Sequence, residues 1–103
     1  MTQTGRMTDL AVVDNPALSR VEARLGDAVA GFAAYVDRPG QRVFTHTEVD
    51  PAYEGQGIGG RLARASLDQA RADGLRVVPR CPFIRAWIDK HPDYADLVDA
   101  DQT

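Results

Sequence analysis

The chain has 103 residues and a net charge of −3, which allows one hydrophobic core and argues against a large nucleic-acid-binding surface. Its single cysteine, Cys81, has no partner for an internal disulfide, so we expect a cytoplasmic protein. No apolar stretch reaches membrane-spanning length, and neither a membrane partner nor a metal site is expected. Residues 1–9 are interpreted as a mobile N-terminal tail, and residues 10–103 as a single domain.

The first half of the domain has the pattern of an antiparallel meander. Four segments with strand patterns are separated by turn residues: 10–14, 19–25, 28–36 and 42–49. Residues 19–25 alternate apolar and charged side chains, which predicts a strand with one buried and one solvated face. Residues 28–36 are apolar on both faces, which predicts a central strand covered by another layer.

The second half of the domain has the pattern helix, strand, helix. Apolar residues recur at helical spacing from Leu62 to Ala70, and Gly74 is placed to end that helix. Residues 75–79 fit a short buried strand, and Pro82 opens a short helix over residues 82–90. The last segment, 91–98, fits either a strand or a capping turn. The predicted class is therefore α+β, a mixed sheet with an antiparallel meander followed by a βαβ-type half with two helices.

The junction before the long helix reads YEGQGIGG, at residues 53–60. The start of a helix exposes unpaired N–H groups and a partial positive charge, so a segment with few side chains lets a phosphate approach the backbone. The pattern lacks the Gly-Lys-Ser/Thr of a P-loop, and its glycines have the wrong spacing for a dinucleotide fingerprint. A purely structural turn needs only one or two glycines, whereas residues 55–60 contain four, which favours phosphate binding.

Four motifs in this order resemble the GNAT acetyltransferases, and in particular their small single-domain members: HTEV, GQGIG, CPFI and KHPDYADLV. The likeness covers nearly everything from Val12 onward. It implies an acetyl-CoA site in which the strand edge at Glu48 and Val49 pairs with the pantetheine arm. It also implies that backbone amides hold the pyrophosphate at Gly55, Gln56, Gly57, Ile58, Gly59 and Gly60. Glu54 stands where the family usually has Gln or Arg, and a carboxylate there would weaken phosphate binding unless it points away.

Three residues are candidates for the chemistry: Cys81, His46 and Glu48. Cys81 precedes the short helix and is a candidate acetyl acceptor, with a buried core position as the alternative. His46 and Glu48 share one face of the fourth strand beside the expected thioester, where either would take a proton from an amine. The alternative is that both are ordinary half-exposed strand residues.

Other positions bear on the acid step and on the phosphates of the donor. Larger GNAT relatives present a tyrosine acid where this chain has Trp87, whose indole is not a useful acid. Tyr94 is the other candidate acid, but the sequence favours packing of Tyr94 against the sheet. Lys90 and His91 fit either a contact with the outer phosphates of CoA or a solvated surface, and the surface is favoured.

Two functions are consistent with these features. The first is an acetyl-CoA-dependent N-acetyltransferase that acts on an amine, either small or on a protein. The alternative is a non-catalytic CoA- or acyl-CoA-binding module, which Glu54 and Trp87 favour. The link NPALS is too short for the helical pair with which larger relatives build their acceptor groove, so an open acceptor site is expected. A monomer and a weak dimer both remain open.

Overall fold

The computed structural model describes residues 10–99, so the predicted tail at residues 1–9 lies outside the described residues. The described residues form five strands: β1 Leu10–Asn15, β2 Arg20–Leu25, β3 Ala28–Arg38, β4 Gln41–Val49 and β5 Arg76–Pro79. Two α-helices follow β4 and β5 respectively: α1 Ile58–Ala72 and α2 Pro82–Asp89. Short 3-10 helices span Pro16–Leu18, Pro51–Tyr53 and Pro92–Leu97. Within residues 10–99, neither α-helix is long and apolar enough to cross a membrane.

The five strands form one sheet in the order β1-β2-β3-β4-β5. The first three pairings are antiparallel and the pairing of β4 with β5 is parallel, which confirms the predicted α+β class with a mixed sheet. A parallel neighbour requires a crossover connection, and α1 supplies it. The parallel ladder is short, because β5 pairs only with Gln41 to Phe44.

Helix α1 begins inside the glycine-rich segment and ends as predicted. Gly57, with φ at +77°, caps its start, and the side chain of Ile58 is buried in the core. At the other end Gly74 has φ +72°, and its N–H donates to the Arg71 carbonyl at 3.1 Å. A non-glycine residue rarely adopts this left-handed conformation, so Gly74 ends the helix because the chain needs a positive φ at this position.

Both helices pack on the same face of the sheet. Their apolar residues join one core cluster with the inward residues of the strands, among them Val21, Ala33, Phe44, Leu62 and Ile84. Within residues 10–99 no α-helix lies on the opposite side of the sheet, which is called the open face below. Strand β3 is therefore the central, covered strand that its apolar pattern predicts. The helices cover one of its faces, and the pattern by itself does not reveal how many layers pack on a strand.

The charged side of β2 also differs from the prediction of a solvated face. Glu22 is only 1% exposed, although it lies on the open face. Its carboxylate accepts from Arg20 Nε at 2.7 Å, from Arg24 at 2.6 Å and from Asn15 at 3.1 Å. The neighbouring arginine side chains therefore cover Glu22, so burial here results from ion pairing instead of an apolar layer.

The end of the described chain is a capping element. The 3-10 helix Pro92–Leu97 leads to Val98, which makes an isolated parallel bridge with Val77. Tyr94 is buried, and its hydroxyl donates to Asp68 Oδ1 of α1 at 2.7 Å. Tyr94 thus binds the chain end to helix α1, whereas the sequence had suggested packing against the sheet.

Candidate functional site

Strands β4 and β5 separate in the middle of the sheet. Their last paired residues are Phe44 and Pro79, and Cys81 N–H then donates to the Phe44 carbonyl at 2.9 Å. The chain turns into α2 at this point, while β4 continues to Val49. Among the described residues, Thr45 to Val49 therefore have no strand neighbour on the β5 side. This segment is called the open edge of β4.

The backbone groups that point out of the open edge follow from the pairing of β4 with β3. Asp50 N–H donates to the Ala30 carbonyl at 2.8 Å, and Val49 is opposite Gly31. In an antiparallel pair, residues alternate between bonding across the pair and pointing away from it. Thr47 and Val49 therefore direct their N–H and C=O groups away from β3, toward the open edge. An extended, amide-containing chain can pair with these groups as an additional strand would.

The glycines before α1 are glycine for two different reasons. Gly55 and Gly57 have φ of +83° and +77°, and a Cβ at either position would meet no atom within 4 Å. At Gly59 a Cβ would come within 2.8 Å of the tip of the Phe83 ring, so a side chain there would require this exposed ring of α2 to shift. Gln56 is exposed, and the capping residue Gly57 provides no side-chain hydrogen bond to the helix start. The first N–H groups of α1 therefore lie at an opening that no capping side chain closes.

A cleft of about 480 Å³ extends from this opening along α1. Its lining includes Gly57 and Gly60 at one end and the side chains of Arg61, Arg64, Trp87 and His91. Because Arg61 and Arg64 are three positions apart on the first turns of α1, they add positive charge beside the helix start. Neither arginine was predicted from the sequence as a site residue. Arg61 and Arg64 follow Gly57 by four and seven positions, which places them on the same side of the helix as its glycine start. This spacing was the sequence signal that would have identified them as site residues.

Trp87 and His91 form one wall of this cleft. Their rings stack with centroids 3.7 Å apart, and His91 Nδ1 lies 2.7 Å from the Trp87 carbonyl oxygen. His91 is therefore half-buried, and the expectation that it sits in solvent was wrong, whereas Lys90 is exposed.

The hydrogen bond to Asp68 and burial raise the pKa of Tyr94, whose hydroxyl also accepts from Arg64 at 3.2 Å. These contacts hold the Tyr94 hydroxyl in a network on α1.

The three predicted catalytic residues fall into two groups. His46 and Glu48 lie side by side on the open face, with His46 Nε2 3.0 Å from Glu48 Oε1 and both side chains more than half exposed. Cys81 is on the helix face, 2% exposed, with its Sγ 3.3 Å from Thr47 Oγ1. Successive residues of a strand point to opposite faces, so Thr47 contacts Cys81 while its neighbours do not. The structure thus brings His46 to Glu48, but not to Cys81.

A second, smaller cavity of about 200 Å³ lies on the open face. Its lining includes Arg20, Val29, Phe32, Glu48 and Asp50. Of these, only Glu48 was a predicted site residue. The others come from β2, β3 and the turn after β4, and no spacing in the sequence connects them.

Comparisons with known proteins agree with this architecture. Residues 20–97 match the family model described as GCN5-related N-acetyl-transferase. A solved GCN5-like protein from Staphylococcus aureus superposes with a TM-score of 0.67 at 22% identity, covering 93% of this chain and 94% of that one. At this level of identity the structural likeness shows the fold.

Two curated relatives match part of the chain. Protein NATD1 from Bos taurus is 40% identical over 47 residues, which cover 46% of this chain and 42% of that protein. Mycothiol acetyltransferase from Pseudarthrobacter chlorophenolicus is 39% identical over 51 residues, which cover 50% of this chain and 16% of that enzyme. The matched region therefore spans less than half of the length of either relative.

Proposed function

The chain belongs to the GCN5-related N-acetyl-transferase family, and we propose that it transfers an acetyl group from acetyl-CoA to a primary amine. The observation that carries this proposal is the open edge of β4 next to the uncapped, glycine-lined start of α1. The open edge offers backbone hydrogen-bond partners for an amide-rich arm. The start of α1 offers N–H groups and the positive end of the helix dipole for a pyrophosphate. Acetyl-CoA carries both of these chemical groups in one molecule.

In this proposal the donor lies on the helix face of the sheet. The pyrophosphate binds backbone N–H groups of residues 55–60, and Arg61 and Arg64 contribute charge to the phosphates along the adjoining cleft. The pantetheine arm pairs with Thr47 and Val49 along the open edge. The thioester carbonyl then accepts a hydrogen bond from the outward N–H of Val49, which polarises the carbonyl toward attack. Glu54 is exposed and precedes the glycines, so its carboxylate lowers affinity without closing the site.

The acceptor approaches from the open face, where His46 and Glu48 lie. One proton leaves the ammonium for the Glu48–His46 pair, and the free amine nitrogen attacks the thioester carbonyl carbon. The carbon–sulfur bond breaks, the CoA thiolate departs, and the second proton lost by the nitrogen completes the thiol. General base assistance of this kind contributes roughly 10²- to 10⁴-fold to the rate.

Cys81 provides a second route for the acetyl group. In that route the Cys81 thiol gives up its proton, its thiolate attacks the thioester carbonyl, and the departing CoA thiolate takes up a proton. The amine then attacks the acetylated Cys81, the carbon–sulfur bond breaks, and the proton lost by the nitrogen restores the Cys81 thiol. Cys81 lies where β4 and β5 separate, at the Thr45 end of the open edge, and this position supports the second route. The burial of Cys81 and its separation from His46 favour direct transfer. Intact mass spectrometry after mixing with acetyl-CoA alone distinguishes the two, because only the second route acetylates the protein at Cys81.

A matched pair of variants at Gly60 tests the donor site. Gly60 has helical geometry, and a Cβ there would lie 3.6 Å from Trp87 Nε1, an ordinary contact. Gly60→Asp places a carboxylate at the helix start, where the dipole stabilises it and where it repels a pyrophosphate. Gly60→Ala adds the same Cβ without charge and is expected to stabilise the helix by about 0.5–1 kcal/mol.

Calorimetric titration with acetyl-CoA and with CoA gives the readout. We expect micromolar binding for the wild type and for Gly60→Ala, and at least about 100-fold weaker binding for Gly60→Asp, equivalent to about 3 kcal/mol. Equal affinities for the two variants would remove the phosphate-binding role of this segment. Binding without release of thiol in the presence of amines would favour the alternative function, a CoA- or acyl-CoA-binding module without turnover.

A further inference from the structure

The cavity on the open face is separate from the cleft in which the donor is placed. Phe32 lines it, and Phe32 is directly opposite Glu48 in the β3–β4 register. Glu48 precedes Val49, whose backbone points out of the open edge. A molecule in this cavity would therefore lie beside the reacting edge of β4, but on the opposite side of the sheet from α1.

One wall of the cavity carries a fixed positive charge. The Arg20 guanidinium lies 4.5 Å from the centroid of the Phe32 ring. It is held there by the 2.7 Å ion pair between Arg20 Nε and Glu22, a carboxylate that is itself buried and also bound by Arg24. The ion pair uses the Nε of Arg20. Arg20 lines the cavity, and a guanidinium has further N–H donors that can bind an anionic group.

The other wall carries negative charge. Glu48 and Asp50 both line the cavity, and Asp50 is fixed because its Oδ1 accepts from Ala52 N–H at 2.9 Å. The lining of the cavity therefore combines two carboxylates, a phenyl ring and a guanidinium. A second cationic group on a ligand would be repelled by Arg20, whereas an anionic group would be attracted to it.

We propose that this cavity is the acceptor site and that it selects a small primary amine with a carboxylate at its far end, such as an amino acid, over a polyamine. The inference rests on the proposed acetyl transfer. The ammonium binds between Glu48 and Asp50. It then lies close to the hydrogen-bonded Glu48 and His46, which accept its proton in the proposed reaction. The carboxylate pairs with Arg20, and the intervening carbons pack on Phe32.

Three probes with the same three-carbon chain test this selectivity: β-alanine, propylamine and 1,3-diaminopropane. Each is titrated into ¹⁵N-labelled full-length protein without acetyl-CoA, and backbone amide shifts are followed. We expect β-alanine to shift the amides of Phe32, Glu48 and Asp50, and to bind about tenfold more tightly than diaminopropane, with propylamine between them. Because no donor is present, failure of acetyl-CoA binding or of turnover cannot produce this pattern or hide it.

Three variants assign the charges. Arg20→Gln is expected to abolish the preference for β-alanine over propylamine, and Arg20→Lys to retain part of it. Asp50→Asn keeps the oxygen that accepts from Ala52 and is expected to weaken all three probes equally. Asp89→Asn, which removes an exposed carboxylate at the end of α2, serves as the control and should change nothing. Shifts confined to residues outside the cavity, or tighter binding of diaminopropane than of β-alanine, would overturn the proposal.

Discussion

Gly57 and Gly59 show at the scale of single residues how one residue type can serve two purposes. Gly57 is required by its backbone conformation, with φ at +77°, whereas Gly59 leaves room for the tip of the Phe83 ring. The sequence contains more glycines than a helix start needs, and we interpreted the excess as access for a phosphate to the backbone. The structure divides that excess, because Gly55 and Gly57 provide left-handed backbone conformations, whereas Gly59 and Gly60 lie in the first turn of α1, where α2 packs against it.

Cys81 is the residue at which the two routes of acetyl transfer make different predictions. Because its thiol is 2% exposed and contacts Thr47, we expect iodoacetamide to alkylate it more slowly than a model thiol at neutral pH. Cys81→Ala should lower the free energy of unfolding by about 1 kcal/mol while leaving kcat/KM within a few-fold of the wild type. Cys81→Ser, which retains a hydrogen-bonding partner for Thr47, is the matched control. A folded Cys81→Ala protein that binds acetyl-CoA normally but has lost transfer would establish the Cys81 route.

Strand β2 shows at the scale of an element how a regular pattern can conceal an ion cluster. The alternation of Arg20, Glu22 and Arg24 with apolar residues correctly predicted the strand and its inward face. Hydrogen bonds from Arg20 and from Arg24, opposed by burial, lower the pKa of Glu22 to about 2 from an ordinary value of 4.5. The same cluster holds Arg20 over Phe32, so the charges of β2 shape the open-face cavity as well as stabilising the strand.

This lowered pKa predicts how stability depends on pH. A group whose folded pKa is depressed stabilises the fold above its unfolded pKa, so the contribution of Glu22 is complete above about pH 4.5 and is lost as the pH falls toward 2. After allowance for solvent around the arginines, Glu22→Gln should lower the free energy of unfolding at pH 7 by about 1–2 kcal/mol. Urea unfolding from pH 7 to pH 2 measures this difference, which should vanish at the acidic end. An undiminished difference at pH 2 would contradict it, and Glu54→Gln, at an exposed position, provides the control.

At the scale of the whole molecule, one sheet separates the cleft along α1 from the open-face cavity. Both helices cover one face, and within residues 10–99 the other face carries only its own side chains. The open edge of β4 is the place where the two faces meet, because no strand closes the sheet beside Thr45 to Val49. A donor on the helix face and an acceptor on the open face can therefore approach the same peptide groups from opposite sides.

Donor binding should stabilise this whole arrangement, because the proposed donor site is built from α1, β4 and the segment between them and exists in the folded state only. At 100 times its dissociation constant, a ligand of this kind adds about 2.7 kcal/mol to the free energy of unfolding. For a domain of this size that corresponds to a rise in Tm on the order of 10 °C, measured by thermal unfolding with and without acetyl-CoA. Gly60→Asp should show no such rise, while Gly60→Ala should match the wild type. An unchanged Tm for the wild type would argue against donor binding at this site.

The sequence by itself determined the order of elements, the α+β class, the glycine-lined helix start and the shared face of His46 and Glu48. Each of these depends on local chemistry, namely side-chain periodicity, turn residues and the backbone freedom of glycine. Only the tertiary structure decided that one face of the sheet is open, that Glu22 is buried, and that Cys81 meets Thr47 from 34 positions away. Periodicity specifies which residues share a face, but the packing of distant elements decides what covers that face and which side chains meet across it.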